Sequence, residues 1–175
     1  MAPKNQRWWL TTDSVEIVID AAPEALYALV SDMPRMGEWS NECARVEWAE
    51  GSTGPEVGAR FVGHNAVGPR RMIKYSRRGR VLAAEPGREF AFATEEGGEE
   101  STIWRYRFEA VDGGTRVIES YEAKKLPMWA RMIDVPFNRY AELMETMRHT
   151  LDKLKAAAEA SAYGSTQANS QATAE

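Results

Sequence analysis

The chain has 175 residues, 43% apolar and 27% charged, enough apolar side chains to build one domain's core and too many for a disordered chain. Lys and Arg total 22 against 26 Asp and Glu, and the resulting net charge of −4 argues against a basic nucleic-acid-binding domain. A single cysteine, Cys43, excludes an internal disulfide framework and a cysteine zinc cluster, and two histidines, His64 and His149, leave little for a metal site, so no metal and no cofactor are expected.

The start is polar through Arg7 and then carries only Trp8-Trp9-Leu10, which is not a signal-peptide core. We read 1–12 as an N-terminal extension. Ser14 to Asp20 places Val15, Ile17 and Ile19 on one face and Glu16, Val18 and Asp20 on the other, the period of a strand. Pro23 and Glu24 mark a helix start, and Leu26, Leu29, Val30 and Met33 recur at helical spacing up to Asp32-Met33-Pro34. A second short helix is expected over Pro34–Trp39. Six strands follow: Arg45–Glu50, Ala59–Ala66, Ile73–Ala84, Glu89–Thr94, Ser101–Ala110 and Thr115–Lys124. Turn residues such as Gly68-Pro69, Glu85-Pro86-Gly87, Gly97-Gly98 and Asp112-Gly113-Gly114 separate them. The last element is helical: Trp129, Met132, Ile133, Phe137, Tyr140, Leu143, Met144, Met147, Leu151 and Leu154 step by three and four over about six to eight turns. Pro136 lies inside that run and should kink or split it, with Asp134 able to cap the second part. From Ala156 the composition is small and polar with Tyr163 the only large side chain, so 159–175 is expected to be a disordered tail beyond a domain of 13–158. No run approaches about 18 apolar residues, so no transmembrane segment is expected, and a cytoplasmic protein is the default.

A meander of antiparallel strands with one long amphipathic helix is an α+β layout in which the sheet must cover the helix's apolar face. The chain resembles the SRPBCC superfamily, which groups START-type lipid-binding domains, birch-pollen-allergen-like proteins and the polyketide cyclase/dehydrase group. The resemblance rests on Ala22-Pro23-Glu24-Ala25-Leu26-Tyr27-Ala28-Leu29-Val30-Ser31-Asp32 after the first strand and on Met36-Gly37-Glu38-Trp39-Ser40 in the second helix. It continues through Val57-Gly58-Ala59-Arg60-Phe61-Val62-Gly63-His64-Asn65 and through Val81 to Phe92, the strongest stretch, to Gly114-Thr115-Arg116-Val117 at the last strand. It covers about residues 13–156. Two positions depart from it: Asn41, where relatives often carry Pro, and Met72, where close relatives often carry Trp. The resemblance implies a helix-grip fold, a curved seven-stranded antiparallel sheet around the long C-terminal helix, with two short helices between strands 1 and 2. It also implies a hydrophobic cavity between sheet and helix that holds lipids, sterols, polyketides or hormones, and in some members catalyses cyclisation or dehydration. The fold alone does not choose among these.

Strand alternation then selects the cavity wall. Trp104, Tyr106 and Phe108 share one face, while Arg105, Arg107 and Glu109 form a solvated outer one. If Asp112-Gly113 closes a two-residue hairpin, Trp104 opposes Tyr121, Tyr106 opposes Glu119 and Phe108 opposes Val117; a one-residue slip would turn Glu119 to solvent. We adopt the inward register. Phe61 and Asn65 are taken as inward and His64 as an outward, non-catalytic histidine; His149 reads as a surface helix residue and Cys43 as a buried apolar one. The candidate ligand-binding set is therefore Trp39, Phe61, Asn65, Trp104, Tyr106, Phe108, Glu119, Tyr121, Trp129, Met132, Phe137 and Met144. Asn65, Tyr106, Glu119 and Tyr121 are its polar members, and no residue is assigned a catalytic role. Two readings stand for Trp39, a gate at the entrance or packing of the short helices onto the sheet. Arg70-Arg71 and Arg77-Arg78-Gly79-Arg80 form a basic run, read as solvated beside Glu95, Glu96, Glu99 and Glu100 and otherwise suited to an acidic headgroup or carrier protein. The expected function is binding of a hydrophobic small molecule, lipid or polyketide-like, by a monomer or homodimer. The alternative is a polyketide aromatase/cyclase or dehydratase using the cavity's polar residues, and a third is a protein-interaction module.

Overall fold

The computed structural model describes residues 12–67, 69–124 and 139–172, with the backbone alone at 67, 69, 139, 140 and 161–172. The element order is strand β1 (Thr12–Ile19), helix α1 (Pro23–Ser31), a 3-10 helix (Met33–Glu38), then β2 (Cys43–Ala49), β3 (Arg60–Val67), β4 (Ile73–Glu85), β5 (Glu89–Glu96), β6 (Glu99–Val111), β7 (Gly114–Ala123) and helix α2 (Arg139–Ala172). Each strand and short helix expected from periodicity is present, with ends displaced by at most three residues. A 3-10 turn at Pro69–Arg71 was not anticipated; Arg70 and Arg71 both take positive φ there.

The local causes are those the sequence announces. In β1, Val15 and Ile19 are buried while Val18 is exposed. In α1, Pro23 occupies the first turn with Glu24 beside it, where a missing N–H costs nothing and a negative charge faces the helix dipole. Its inner face carries Leu26, Tyr27 and Val30. The 3-10 helix buries Met33 and Met36. It presses on β2 so closely that a Cβ at Gly37 would collide with the Ala44 carbonyl.

The strands form one antiparallel sheet in the order β1-β7-β6-β5-β4-β3-β2. Strands β2 to β7 are a meander, and β1 closes against β7. Register shifts at Cys43/Arg45, Val81/Ala83 and Thr94/Glu95 insert bulges that bend the sheet. The fold is therefore a curved seven-stranded sheet with a C-terminal helix, an α+β arrangement of the helix-grip kind.

The core lies on the concave face. Phe61 meets Phe92 edge-on with centroids 5.6 Å apart, and Tyr27 of α1 meets both Phe90 and Phe108 at 6.2 Å. Gly79 makes room for this: a Cβ there would run into the Phe61 ring and the Ala93 carbonyl. Helix α2 buries Met144, Met147, Leu151 and Leu154, and Ala158 is the last buried side chain among those described. It packs principally on β1, with further contact to β7 and α1. Lys153 Nζ donates to Asn41 Oδ1 at 3.0 Å, so the residue that departs from the family pattern ties α2 to the loop after the 3-10 helix. Pro136, its expected kink, and the Asp134 cap lie outside the described residues.

The convex face is a ladder of opposite charges. Arg60 pairs with Glu95 at 2.5 Å, Arg80 and Lys124 both with Glu100 at 2.7 Å, Arg77 with Glu96 at 3.3 Å, and Arg105 with Glu89. Beneath it Ala91 and Ala93 are fully buried. Their cross-strand neighbours are Arg105 and Arg80, whose aliphatic stems are the available cover.

Candidate functional site

The site grows out of the β6–β7 hairpin. Val111 pairs with Gly114, so Asp112-Gly113 is a two-residue connection, and the register runs Phe108↔Val117, Tyr106↔Glu119, Trp104↔Tyr121. That is the inward register, and it places a carboxyl group among aromatic rings. Glu119 is 3% exposed and Tyr106 5%. The Tyr106 hydroxyl donates to Glu119 Oε1 at 2.8 Å. Glu119 Oε2, also buried, has no hydrogen-bond partner among the described residues.

An ionised carboxylate in such a place would leave a buried charge compensated by one hydrogen bond. The cheaper state is the protonated acid. Burial pushes the Glu119 carboxyl up to about 8, and the Tyr106 hydrogen bond offsets only part of that rise. Tyr106 is held well above the ordinary tyrosine range, first by burial and then by the adjacent carboxylate. At neutral pH the pair is therefore a neutral phenol donating to a neutral acid. With Oε1 occupied by the tyrosine, the acid proton belongs on Oε2, which makes Glu119 a hydrogen-bond donor with nothing yet to donate to.

Around this pair the concave wall is apolar. Trp104 lies 6.0 Å from Tyr121, centroid to centroid. Phe61, Phe108, Tyr121 and Met144 are buried, and Trp104 and Asn65 are half-buried. Trp39 is 2% exposed, with the Arg35 guanidinium 5.9 Å from its ring, which places it in the core between the 3-10 helix and β2. Trp129, Met132 and Phe137, which complete the expected set, lie outside the described residues.

Three aromatic neighbours lie outside the candidate set, and Cys43, expected as a buried apolar residue, is buried beside them. Phe90 and Phe92 alternate with Ala91 and Ala93 in β5, a signal that was available. Tyr27 arrives from α1. Cys43 sits across from Asn65 and near enough to Tyr106 to act on its titration. Burial raises the Cys43 thiol, which donates to the Arg45 carbonyl at 3.5 Å, so it is an inert part of the wall. His64 points to the convex side, with Nδ1 2.9 Å from Ser76 Oγ and Nε2 3.5 Å from Glu47. His149 is exposed on α2. Among the described residues no cluster of three His, Cys, Asp or Glu side chains is placed to hold a metal, and no helix is long and apolar enough to cross a membrane. A separate cleft of about 380 Å³ opens between the β1 edge and α2, lined by Ser14, Val15, Glu16, Ile17, Arg148, Leu151 and Asp152.

Comparison with known proteins agrees with this architecture. The family model described as polyketide cyclase / dehydrase and lipid transport matches residues 12–159. A polyketide-cyclase-like protein of Corynebacterium glutamicum is 34% identical over 85% of both chains, with a TM-score of 0.47. The di-domain ARO/CYC StfQ of the steffimycin biosynthetic pathway is 15% identical with a TM-score of 0.69, over 87% of this chain and 51% of its own. An AHSA1-like protein from Aeromonas hydrophila is 20% identical with a TM-score of 0.58, over 86% of this chain and 94% of its own. No protein of curated description matches the chain.

Proposed function

Because the chain belongs to the polyketide cyclase / dehydrase and lipid transport family, we propose that it binds a hydrophobic small molecule, lipid or polyketide-like, between the concave face of the sheet and α2. The observation that carries this is Glu119: a buried acid, hydrogen-bonded on one oxygen and unpartnered on the other, set in a wall of aromatic side chains. A core built only for stability gains nothing from such a group, since an unsatisfied buried polar atom costs about 1–3 kcal/mol. A binding site gains from it, because a few polar groups in an apolar cavity orient the guest. The guest that suits a neutral Glu119 carries a hydrogen-bond acceptor, such as a ketone or ester carbonyl, on an apolar frame. Phe61, Trp104, Phe108, Tyr121 and Met144 supply the apolar wall, with Asn65 as a second polar contact.

The test is native mass spectrometry of the freshly purified chain, followed by organic extraction and mass analysis. A discrete, near-stoichiometric adduct of an apolar compound is the expected result. A bare protein that also fails to take up apolar carbonyl compounds would overturn the reading.

The same pair favours one second reading, an aromatase/cyclase or dehydratase. An acid that keeps its proton at neutral pH is suited to protonate a developing enolate or a leaving hydroxyl within hydrogen-bond reach. In that case Glu119→Gln abolishes turnover of a poly-β-ketone substrate while binding persists, whereas a carrier loses affinity alone.

A further inference from the structure

The convex charge ladder leaves one group of cations unanswered. Arg77, Arg78 and Arg80 of the basic run are paired with Glu96, Glu50 and Glu100. Arg70, Arg71 and Lys74, at the tip between β3 and β4, have no carboxylate partner among the described residues; Arg71 reaches only the Glu42 carbonyl, at 3.3 Å. The same tip presents the two most exposed large apolar side chains of its neighbourhood: Met72 is 75% exposed and Ile73 60%. Positive φ at Arg70 and Arg71 turns the chain sharply there, so five consecutive residues, 70–74, display three cations around two bare aliphatic side chains.

We propose that this tip docks the protein on an anionic lipid surface. Met72 and Ile73 enter the headgroup–acyl boundary, and Arg70, Arg71 and Lys74 lie against the lipid phosphates and carboxylates. Charge complementarity selects the occupant. A solvated basic loop has no use for aliphatic side chains held out in water. An acidic protein partner would need a matching concavity or flat face, whereas here the aliphatic pair protrudes from a hairpin end, the shape that inserts between lipids. The adjacent charges supply the long-range attraction and the aliphatic pair the short-range contact, which together give weak, reversible binding. The proposal does not depend on what the concave face holds.

The test is sedimentation of the full chain with vesicles of phosphatidylcholine alone and with about one-third phosphatidylserine. Binding is expected to the anionic vesicles only, and to weaken with salt. Each basic residue near an anionic surface contributes about fivefold, so the triple variant Arg70→Gln, Arg71→Gln, Lys74→Gln should lower the partition coefficient by roughly a hundredfold. The pair Met72→Ser, Ile73→Ser, which leaves every charge in place, should also lose binding measurably. All these side chains are exposed, so the variants should keep the parent's circular dichroism and thermal midpoint. Absence of binding to anionic vesicles at low salt would overturn the proposal. So would full binding by the Met72→Ser, Ile73→Ser variant, which would mean that charge alone holds the vesicle and that the aliphatic pair does not enter the lipid.

Discussion

Replacing Glu119 with Gln removes one titrating group from the core, and its effect follows from the placement of that group. In the unfolded chain the carboxyl titrates near 4.5; in the folded chain burial moves it to about 8. Between those values the folded state holds a proton that the unfolded state has released. Stability therefore falls as pH rises through that window, by up to about 1.4 kcal/mol per pH unit. From pH 5 to pH 7.5 the loss due to Glu119 integrates to about 3 kcal/mol. In a domain of this size that is a thermal midpoint lower by about 6–12 °C. Glu119→Gln should lack the slope. Its amide oxygen still accepts the Tyr106 hydroxyl, and its NH₂ takes the unpartnered position of Oε2, which sets a constant offset between the two proteins but not its pH dependence. The measurement is urea denaturation of both proteins at half-unit steps from pH 5 to 8, plotted as the difference in unfolding free energy. Other titrating groups cancel in that difference. A gap that closes or inverts by about 3 kcal/mol across the range is expected. Parallel curves, within about 0.5 kcal/mol, would mean that Glu119 titrates alike in both states, and the buried neutral acid would be refuted.

Three further outcomes are expected. Tyr106→Phe removes the one hydrogen bond that favours ionised Glu119, so it should cost about 1–2 kcal/mol and extend the falling limb of the stability profile above pH 8, read in the same denaturation series. Gly79→Val should cost about 1–3 kcal/mol by overpacking, since its side chain meets the Phe61 ring and the Ala93 carbonyl; calorimetry reads it, and an unchanged midpoint would mean that Phe61 has somewhere else to go. A chain ending at Ala160 should keep the parent's thermal midpoint and dispersed amide spectrum, because Ala158 is the last buried side chain described on α2; loss of the folded spectrum would place structural weight on the tail.

Much of this was legible beforehand because the relevant physics is local. The alternation of Trp104, Tyr106 and Phe108 against Arg105, Arg107 and Glu109 assigns the faces of β6 without any partner. The short Asp112-Gly113 connection then fixes the register of β7, and the burial of Glu119 follows from those two facts together. The resemblance supplied what periodicity does not, namely that the sheet curls around the helix; that β1 closes on β7 appears only in the structure. What escaped was set by contacts between residues distant in sequence. The meeting of Tyr27 with Phe90 and Phe108 depends on how α1 lies across the sheet. The approach of Cys43 to Tyr106 depends on the curvature that brings β2 toward β6. The basic run read as a single solvated edge because sequence shows charges but not partners; only the ladder separates the paired Arg77, Arg78 and Arg80 from Arg70, Arg71 and Lys74, which have no carboxylate partner among the described residues.

The proton on Glu119 also ties ligand binding to pH. A guest that accepts a hydrogen bond from Oε2 binds only the protonated form, so its affinity should be flat below about pH 8 and fall about tenfold per pH unit above it. By reciprocity the bound guest, by stabilising that form, should raise the Glu119 titration further and flatten the stability loss described above. A guest held by apolar contact alone shows neither effect. Binding measured by isothermal titration calorimetry at pH 6, 8 and 9.5 therefore distinguishes the two, and the Glu119→Gln variant should be insensitive to pH across the same range. An affinity in the parent that does not change between pH 6 and pH 9.5 would separate Glu119 from recognition and leave it as a buried acid retained for some purpose other than the guest.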